Sequence, residues 1–267
     1  VKPCPSWWPT SVAVLPTTSR IQITTNTYTT MIIKVCGMRD AENIKAVEQL
    51  DIDLMGLVFY PKSPRYVPMV RARSGNMPDY SAERLATLKA RLAEGGVAAG
   101  SATTGVPRVG VFVDDMPQNI VTRVYNFQLD YVQLHGNEPR TTIDNLRRTL
   151  DPDIRPGIRF IKAISIERPE DVDRWREYDG AVDMLLFDTR CPQVGGGGHQ
   201  FDWSALQRYD GSIPFLLSGG IGPDDADRIR DFHHPRWVGI DLNSRFETAP
   251  GLKDVDLLRT FINAIRQ

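Results

Sequence analysis

From Met31 to the C-terminus a short apolar run, a turn and a stretch of helical spacing recur, and this alternation constrains the fold more than any other feature. The apolar runs fall at 32–36, 54–59, 108–113, 131–134, 160–164, 184–187, 215–217 and 237–240. The helical stretches fall at 41–50, 82–93, 118–127, 139–150, 169–178, 223–231 and 254–265. Strands separated by helices pair in parallel, because each crossover carries the chain back to the end from which the last strand began. Eight such strands suit a closed α/β barrel, the (β/α)8 TIM barrel, which typically takes about 250 residues. An open doubly wound sheet is the competing architecture, but it usually has fewer strands and a Gly-rich turn after the first. Here that turn is Cys36-Gly37-Met38, with no G-x-G-x-x-G. The expectation is one barrel domain at 31–267 preceded by an irregular extension at 1–30.

The extension differs from the rest in composition, with Pro and Trp early, a Thr-rich run, and only one Lys and one Arg. It lacks the basic start and continuous apolar centre of a secretory signal, and Met31 reads as the start of the catalytic unit. A net charge of −1 leaves no electrostatic footprint for nucleic acid or an anionic membrane. No apolar run approaches the ~20 residues needed to cross a bilayer, so neither nucleic acid nor membrane is expected as a partner. Cys4, Cys36 and Cys191 are too few and too scattered for a disulfide framework or a zinc site. That favours a cytoplasmic location and no metal. The second connection, between Val67 and Pro107, is long; Leu85, Leu88 and Leu92 stripe its helix, and a Gly/Ala/Ser/Thr-rich run at 95–105 reads as a mobile loop. Because that run precedes a strand, a barrel puts it on the face away from the chemistry.

In a barrel every strand's carboxyl end faces one mouth, so the residues just after each strand line it. The first strand ends in a thiol, Cys36, which alone reads as a small buried hydrophobe. The second ends in a Pro-stiffened loop, Tyr60-Pro61-Lys62-Ser63-Pro64-Arg65-Tyr66, presenting a guanidinium suited to a planar carboxylate; alone, Arg65 reads equally as a surface residue. Asp114 and Asp115 follow the third and serve equally as helix-start carboxylates. His135 ends the fourth and, taken alone, reads as a hydrogen-bonded structural residue more than as a catalyst. Lys162 in the fifth must reach something polar. The sixth ends in Asp188, followed by the loop glycines 195–198. Burial there makes a carboxyl usable as an acid near neutrality, and the glycines would let the loop close over a ligand. Ser218-Gly219-Gly220-Ile221 and Asp241-Leu242-Asn243-Ser244 follow the last two strands, the usual place for an anion held by backbone amides.

Taken together, Lys34-Val35-Cys36-Gly37, the 59–67 loop, Val132-Gln133-Leu134-His135-Gly136, Phe187-Asp188-Thr189, Leu217-Ser218-Gly219-Gly220-Ile221 and Pro250-Gly251-Leu252-Lys253-Asp254 resemble phosphoribosylanthranilate isomerase. That family is the cofactor-free barrel enzyme of tryptophan biosynthesis, and the likeness runs from about Met31 to the C-terminus. It implies an Amadori rearrangement of a phosphorylated small-molecule substrate, with no cofactor, in a monomer or homodimer. Carried over, Cys36 matches the general base, Asp188 the general acid and Arg65 the group holding the anthranilate carboxylate. Gly219, Gly220, Asn243 and Ser244 fall in the phosphate loops, and His135 is counted with the substrate-binding residues. A thiol needs nearby positive charge, from Lys34 or the iminium intermediate, to become a base near neutrality. Arg245 departs from the pattern, since many relatives carry a small residue there; it reads either as an added cation at the phosphate or as an outward-pointing side chain. Two alternatives stay open: the related isomerase of histidine biosynthesis, which has a carboxylate where Cys36 sits, and a non-catalytic barrel that binds a phosphorylated ligand.

Overall fold

The computed structural model describes residues 31–68, 105–151, 153–189 and 202–266. The extension at 1–30 with Cys4, the helix expected at 82–93 with the run after it, and the loop carrying Cys191, the glycines 195–198 and His199 lie outside the described residues.

Eight parallel strands close into a barrel in chain order, with the last paired to the first. They are β1 Ile32–Val35, β2 Leu54–Val58, β3 Arg108–Phe112, β4 Tyr131–Leu134, β5 Arg159–Ile166, β6 Met184–Thr189, β7 Phe215–Leu217 and β8 Trp237–Leu242. The closing seam pairs Ile32 with Gly239 and Val35 with Leu242. β5, β6 and β8 run further than their apolar residues suggest. The ladder is made by backbone groups, so Ser165 still pairs with Asp188 and Ile166 with Thr189 although Ser165, Asp188 and Thr189 are polar. Asp188 therefore lies inside β6 rather than beyond it. Cys36 is just past β1, but its N–H still donates to Leu242 O at 2.8 Å and holds it in register.

Alternation along each strand produces two apolar layers. One set of side chains, including Leu54, Val58, Val109, Val111, Ile161, Ala163, Leu186 and Leu216, fills the barrel interior together with Cys36. The other set, including Ile33, Val35, Leu57, Phe112, Val132, Phe160, Phe187 and Ile240, packs against the outer helices. Those helices present matching stripes. α1 (Ala41–Val47) is capped by the Asp40 carboxylate, which accepts from Asn43 N–H. α2 (Pro117–Phe127) buries Ile120, Val124 and Phe127, and α3 (Arg140–Leu150) buries Ile143, Leu146 and Leu150. The 169–178 stretch is a 3-10 helix, and the expected 223–231 helix divides into a 3-10 turn, Pro223–Asp225, and α4, Ala226–Asp231. A hairpin of β9 (Glu247–Ala249) and β10 (Leu252–Lys253) precedes α5 (Val255–Arg266); it turns through Gly251 at φ +84°. None of the helices among the described residues is long and apolar enough to cross a membrane.

Candidate active site

The two-residue period that sends Leu54, Val58, Val111 and Leu186 into the barrel also sends Cys36, His135, Ser165, Asp188, Ser218 and Asn243 inward, at the carboxyl ends of their strands. Cys36 is 4% exposed and packs with the interior set; a Cβ on Gly56 of the adjacent strand would lie 2.7 Å from its Sγ. One turn of the pleat below, Lys34 is 0% exposed and donates from Nζ to Asp241 Oδ1 at 2.7 Å, while Ser218 Oγ donates to Asp241 Oδ2 at 3.3 Å. Lys34 was expected to make the thiol a readier base. It does pull in that direction, as does Lys253, but burial is the largest influence and Asp241 adds to it, so the Cys36 thiol stands above its ordinary value. Asp241, paired with Lys34, offsets part of the ammonium's pull on the sulfur. Burial works against the Lys34 ammonium too, but Asp241 and the neighbouring sulfur outweigh it and hold it charged beyond the usual lysine range.

Asp188 is held from two sides. Its Oδ1 accepts from Thr189 N–H at 2.9 Å, and its Oδ2 lies 3.1 Å from His135 Nε2. His135 Nδ1 in turn lies 2.9 Å from Gln133 Nε2. If Gln133 donates, His135 Nε2–H donates to a charged carboxylate. With the amide turned over, Nδ1–H donates to Gln133 and Nε2 accepts from a protonated Asp188. The imidazole thus serves either state of the acid. His135 owes its position to a brace on the outer side of the strands. Lys162 Nζ donates to Leu134 O, Gly136 O and Glu138 Oε2, and Glu138 Oε1 accepts from Asp114 N–H and Gly136 N–H. Asp114 accepts from Asn137 N–H, and Asp115 serves the start of α2. Neither aspartate reaches the mouth through a described bond, which resolves the two readings of that pair toward structure.

Arg65 is buried rather than at the surface. Its Nε and Nη2 form a fork on Glu247, at 2.8 and 2.6 Å, and Glu247 also accepts from Lys253 Nζ at 2.7 Å. Burial pushes the Glu247 carboxyl up, yet the Arg65 hydrogen bonds and the Lys253 charge outweigh it and hold it below the usual carboxylate range. Lys253 also donates to Asn243 O and Oδ1. Gly37, at φ +79°, sits beneath this group: a Cβ there would lie 2.5 Å from Asn243 Oδ1 and 2.6 Å from Arg65 Cδ. The tip of β1 therefore brings the thiol, the guanidinium and the β8 loop together. Sequence reasoning gave no role to Glu247 or to Lys253: Lys253 lies in the 250–254 motif, but nothing local shows that its ammonium turns to Glu247 and Asn243.

Gly219 and Gly220 turn the loop after β7 through φ +91° and +74°, left-handed backbone that a residue with a side chain rarely adopts. After β8, Asn243 leads into the 3-10 turn Ser244–Phe246. His234 is half-buried: its Nε2 lies 3.1 Å from Tyr209 O, against the Phe215 ring. Among the described residues no three His, Cys, Asp or Glu side chains converge in a way that could hold a metal ion.

The sequence model of the family described as N-(5'phosphoribosyl)anthranilate (PRA) isomerase matches residues 83–264. A Parabacteroides distasonis protein named N-(5'-phosphoribosyl)anthranilate isomerase is 44% identical over 235 residues, covering 88% of this chain and 93% of its own. Among solved structures, phosphoribosyl anthranilate isomerase from Thermotoga maritima is 31% identical with a TM-score of 0.64, covering 88% of this chain and 98% of that one. A structure of phosphoribosyl anthranilate isomerase in complex with reduced 1-(o-carboxyphenylamino)-1-deoxyribulose 5-phosphate is 28% identical with a TM-score of 0.63, over the same shares.

Proposed function

The chain belongs to the N-(5'-phosphoribosyl)anthranilate isomerase family, and from that premise we propose that it converts N-(5'-phosphoribosyl)anthranilate to 1-(2-carboxyphenylamino)-1-deoxyribulose 5-phosphate by general acid–base catalysis. The reading assigns the catalytic unit to 31–267. One observation carries it: the thiol of Cys36 and the carboxyl of Asp188 stand at inward positions on the carboxyl ends of β1 and β6 in one barrel.

Asp188 gives a proton to the furanose ring oxygen. The bond from that oxygen to C1 breaks, and the anthranilate nitrogen's lone pair forms the C1 iminium. Cys36 then takes the proton from C2, and its electron pair neutralises the iminium to an enolamine. Transfer of the C2 hydroxyl proton away and of a proton to C1 completes the aminoketose. Because burial holds Cys36 as a thiol, the positive iminium beside it is what draws the sulfur to its anionic form. Arg65, fixed by its fork on Glu247, has Nη1 without a partner among the described residues and holds the anthranilate carboxylate. The amides of Gly219 and Gly220, with Asn243 and Ser244, take the phosphate, and His135 keeps Asp188 aimed at the ring oxygen. The compound in the related complex carries both a carboxyl and a phosphate group, which supports two anion sites at one mouth.

The test is to generate phosphoribosylanthranilate in situ with the purified protein and follow loss of its fluorescence. A positioned acid or base contributes about 10²–10⁴-fold, so Cys36→Ser and Asp188→Asn each lower kcat by at least about a hundredfold with the far-UV spectrum unchanged. Near-normal turnover in either folded variant removes that residue from its role.

A further inference from the structure

The loops after β7 and β8, residues 218–225 and 241–247, contain one cation between them, Arg245. Its position is unusual for a side chain on the second loop, because it crosses to the first. A Cβ placed on Gly222 would lie 3.3 Å from Arg245 Nε, 3.4 Å from Nη2 and 3.6 Å from Cζ. The guanidinium thus lies beside a residue with no side chain, two positions past Gly220.

Other cations of the mouth are already answered. Lys34 is paired with Asp241 and Lys253 with Glu247, and Arg65, forked on Glu247, is assigned to the anthranilate carboxylate. Arg245 is exposed and makes no hydrogen bond or ion pair with another described residue. Asp225, a carboxylate of the loop it touches, is engaged by Gly222 N–H at 2.7 Å and lies 4.0 Å from Arg228. Five N–H donors and a full charge therefore stand beside the loop proposed above to hold the phosphate, whose own donors are neutral amides and hydroxyls. A phosphate monoester brings close to two negative charges near neutrality, which neutral donors hold but do not balance.

We propose that Arg245 is a phosphate-binding residue, a cation reaching from the β8 loop across Gly222 to close over the dianion held by the β7 loop. The proposal rests on the phosphate-cradle reading given above and adds to it the group that selects a doubly charged ester over a neutral or singly charged one. A charge-assisted hydrogen bond is strong enough to change affinity about tenfold to a hundredfold.

The experiment compares wild type with Arg245→Met, which keeps the apolar stem against Gly222, and Arg245→Lys, which keeps the charge. The readouts are KM for phosphoribosylanthranilate and competitive inhibition by ribose 5-phosphate and by ribose, with thermal melts to verify folding. Arg245→Met is expected to raise KM and the inhibition constant of ribose 5-phosphate by about tenfold to a hundredfold, with the loss mainly in KM; Arg245→Lys recovers part of both. Inhibition by ribose, weak in wild type, does not respond. If wild type is inhibited by ribose 5-phosphate and Arg245→Met behaves within twofold of it, Arg245 is not a phosphate ligand while the cradle stands. If wild type prefers ribose 5-phosphate to ribose by nothing measurable, the cradle reading fails and this proposal falls with it.

Discussion

Cys36 must lose a proton to act, yet its surroundings favour keeping it. Burial raises the thiol, Lys34 and Lys253 lower it, Asp241 raises it again, and the balance is upward. For a group whose proton is held more tightly than in free cysteine, the thiolate fraction at neutral pH is smaller and continues to grow as pH rises past the ordinary thiol value. Alkylation of Cys36 by iodoacetamide, resolved from Cys4 and Cys191 by peptide mass mapping, should therefore still be accelerating at pH 9. A rate that levels off near pH 7 would show a thiolate already formed in the resting enzyme. The same residue explains why the iminium matters: the base becomes competent where positive charge arises, after ring opening, and is protected from oxidation and adventitious alkylation before that.

The elements interlock most tightly where the β7 loop meets the end of β6. Gly219 has φ +91°, and a Cβ on it would lie 2.2 Å from Thr189 Oγ1 and 2.6 Å from Thr189 N. Thr189 N–H is the donor that holds Asp188 Oδ1, so the phosphate loop and the proposed acid share one contact. Gly219→Ala faces both the left-handed backbone, about 1–2 kcal/mol for an L-residue, and a clash with backbone that has no room to move. The expected result is a loss of at least about 1 kcal/mol in urea denaturation. KM should rise with it, and kcat should fall, because β6 is displaced. A variant with wild-type stability and wild-type kinetics would show that the close approach is not maintained in solution. Gly37 works in a comparable way under Arg65 and Asn243, which ties the tip of β1 to the carboxylate and phosphate ends of the mouth.

Across the whole molecule, barrel closure joins the first strand to the last, and its seam contains a buried ion pair. Lys34 and Asp241 lie opposite each other in the β1–β8 register and are 2.7 Å apart. Removing one member leaves the other charged and buried, which typically costs about 3–5 kcal/mol, whereas replacing both with apolar groups of like volume is often neutral. Lys34→Met is therefore expected to lower the unfolding free energy by about that much. The double variant Lys34→Met/Asp241→Leu should recover most of it. Chemical denaturation of the set measures this, and a single variant within 1 kcal/mol of wild type would show that Asp241 finds water or a proton instead.

Much of this was legible in the residues themselves. Short apolar runs separated by helical stretches specified eight strands and their order, since crossover handedness leaves few ways to close such a chain. The ends of β5, β6 and β8 were misjudged because polar residues such as Ser165 and Asp188 continue a ladder that only backbone atoms make. The candidate site was legible as a list of strand ends, but not as a network. That Glu247 forks Arg65, that Lys162 braces the His135 turn and that Asp241 offsets Lys34 depend on pairings 182, 24 and 207 residues apart. Local sequence carries periodicity and turn chemistry, which depend on neighbours in the chain. Charge compensation and proton affinity depend on neighbours in space, and only the closed barrel decides which those are.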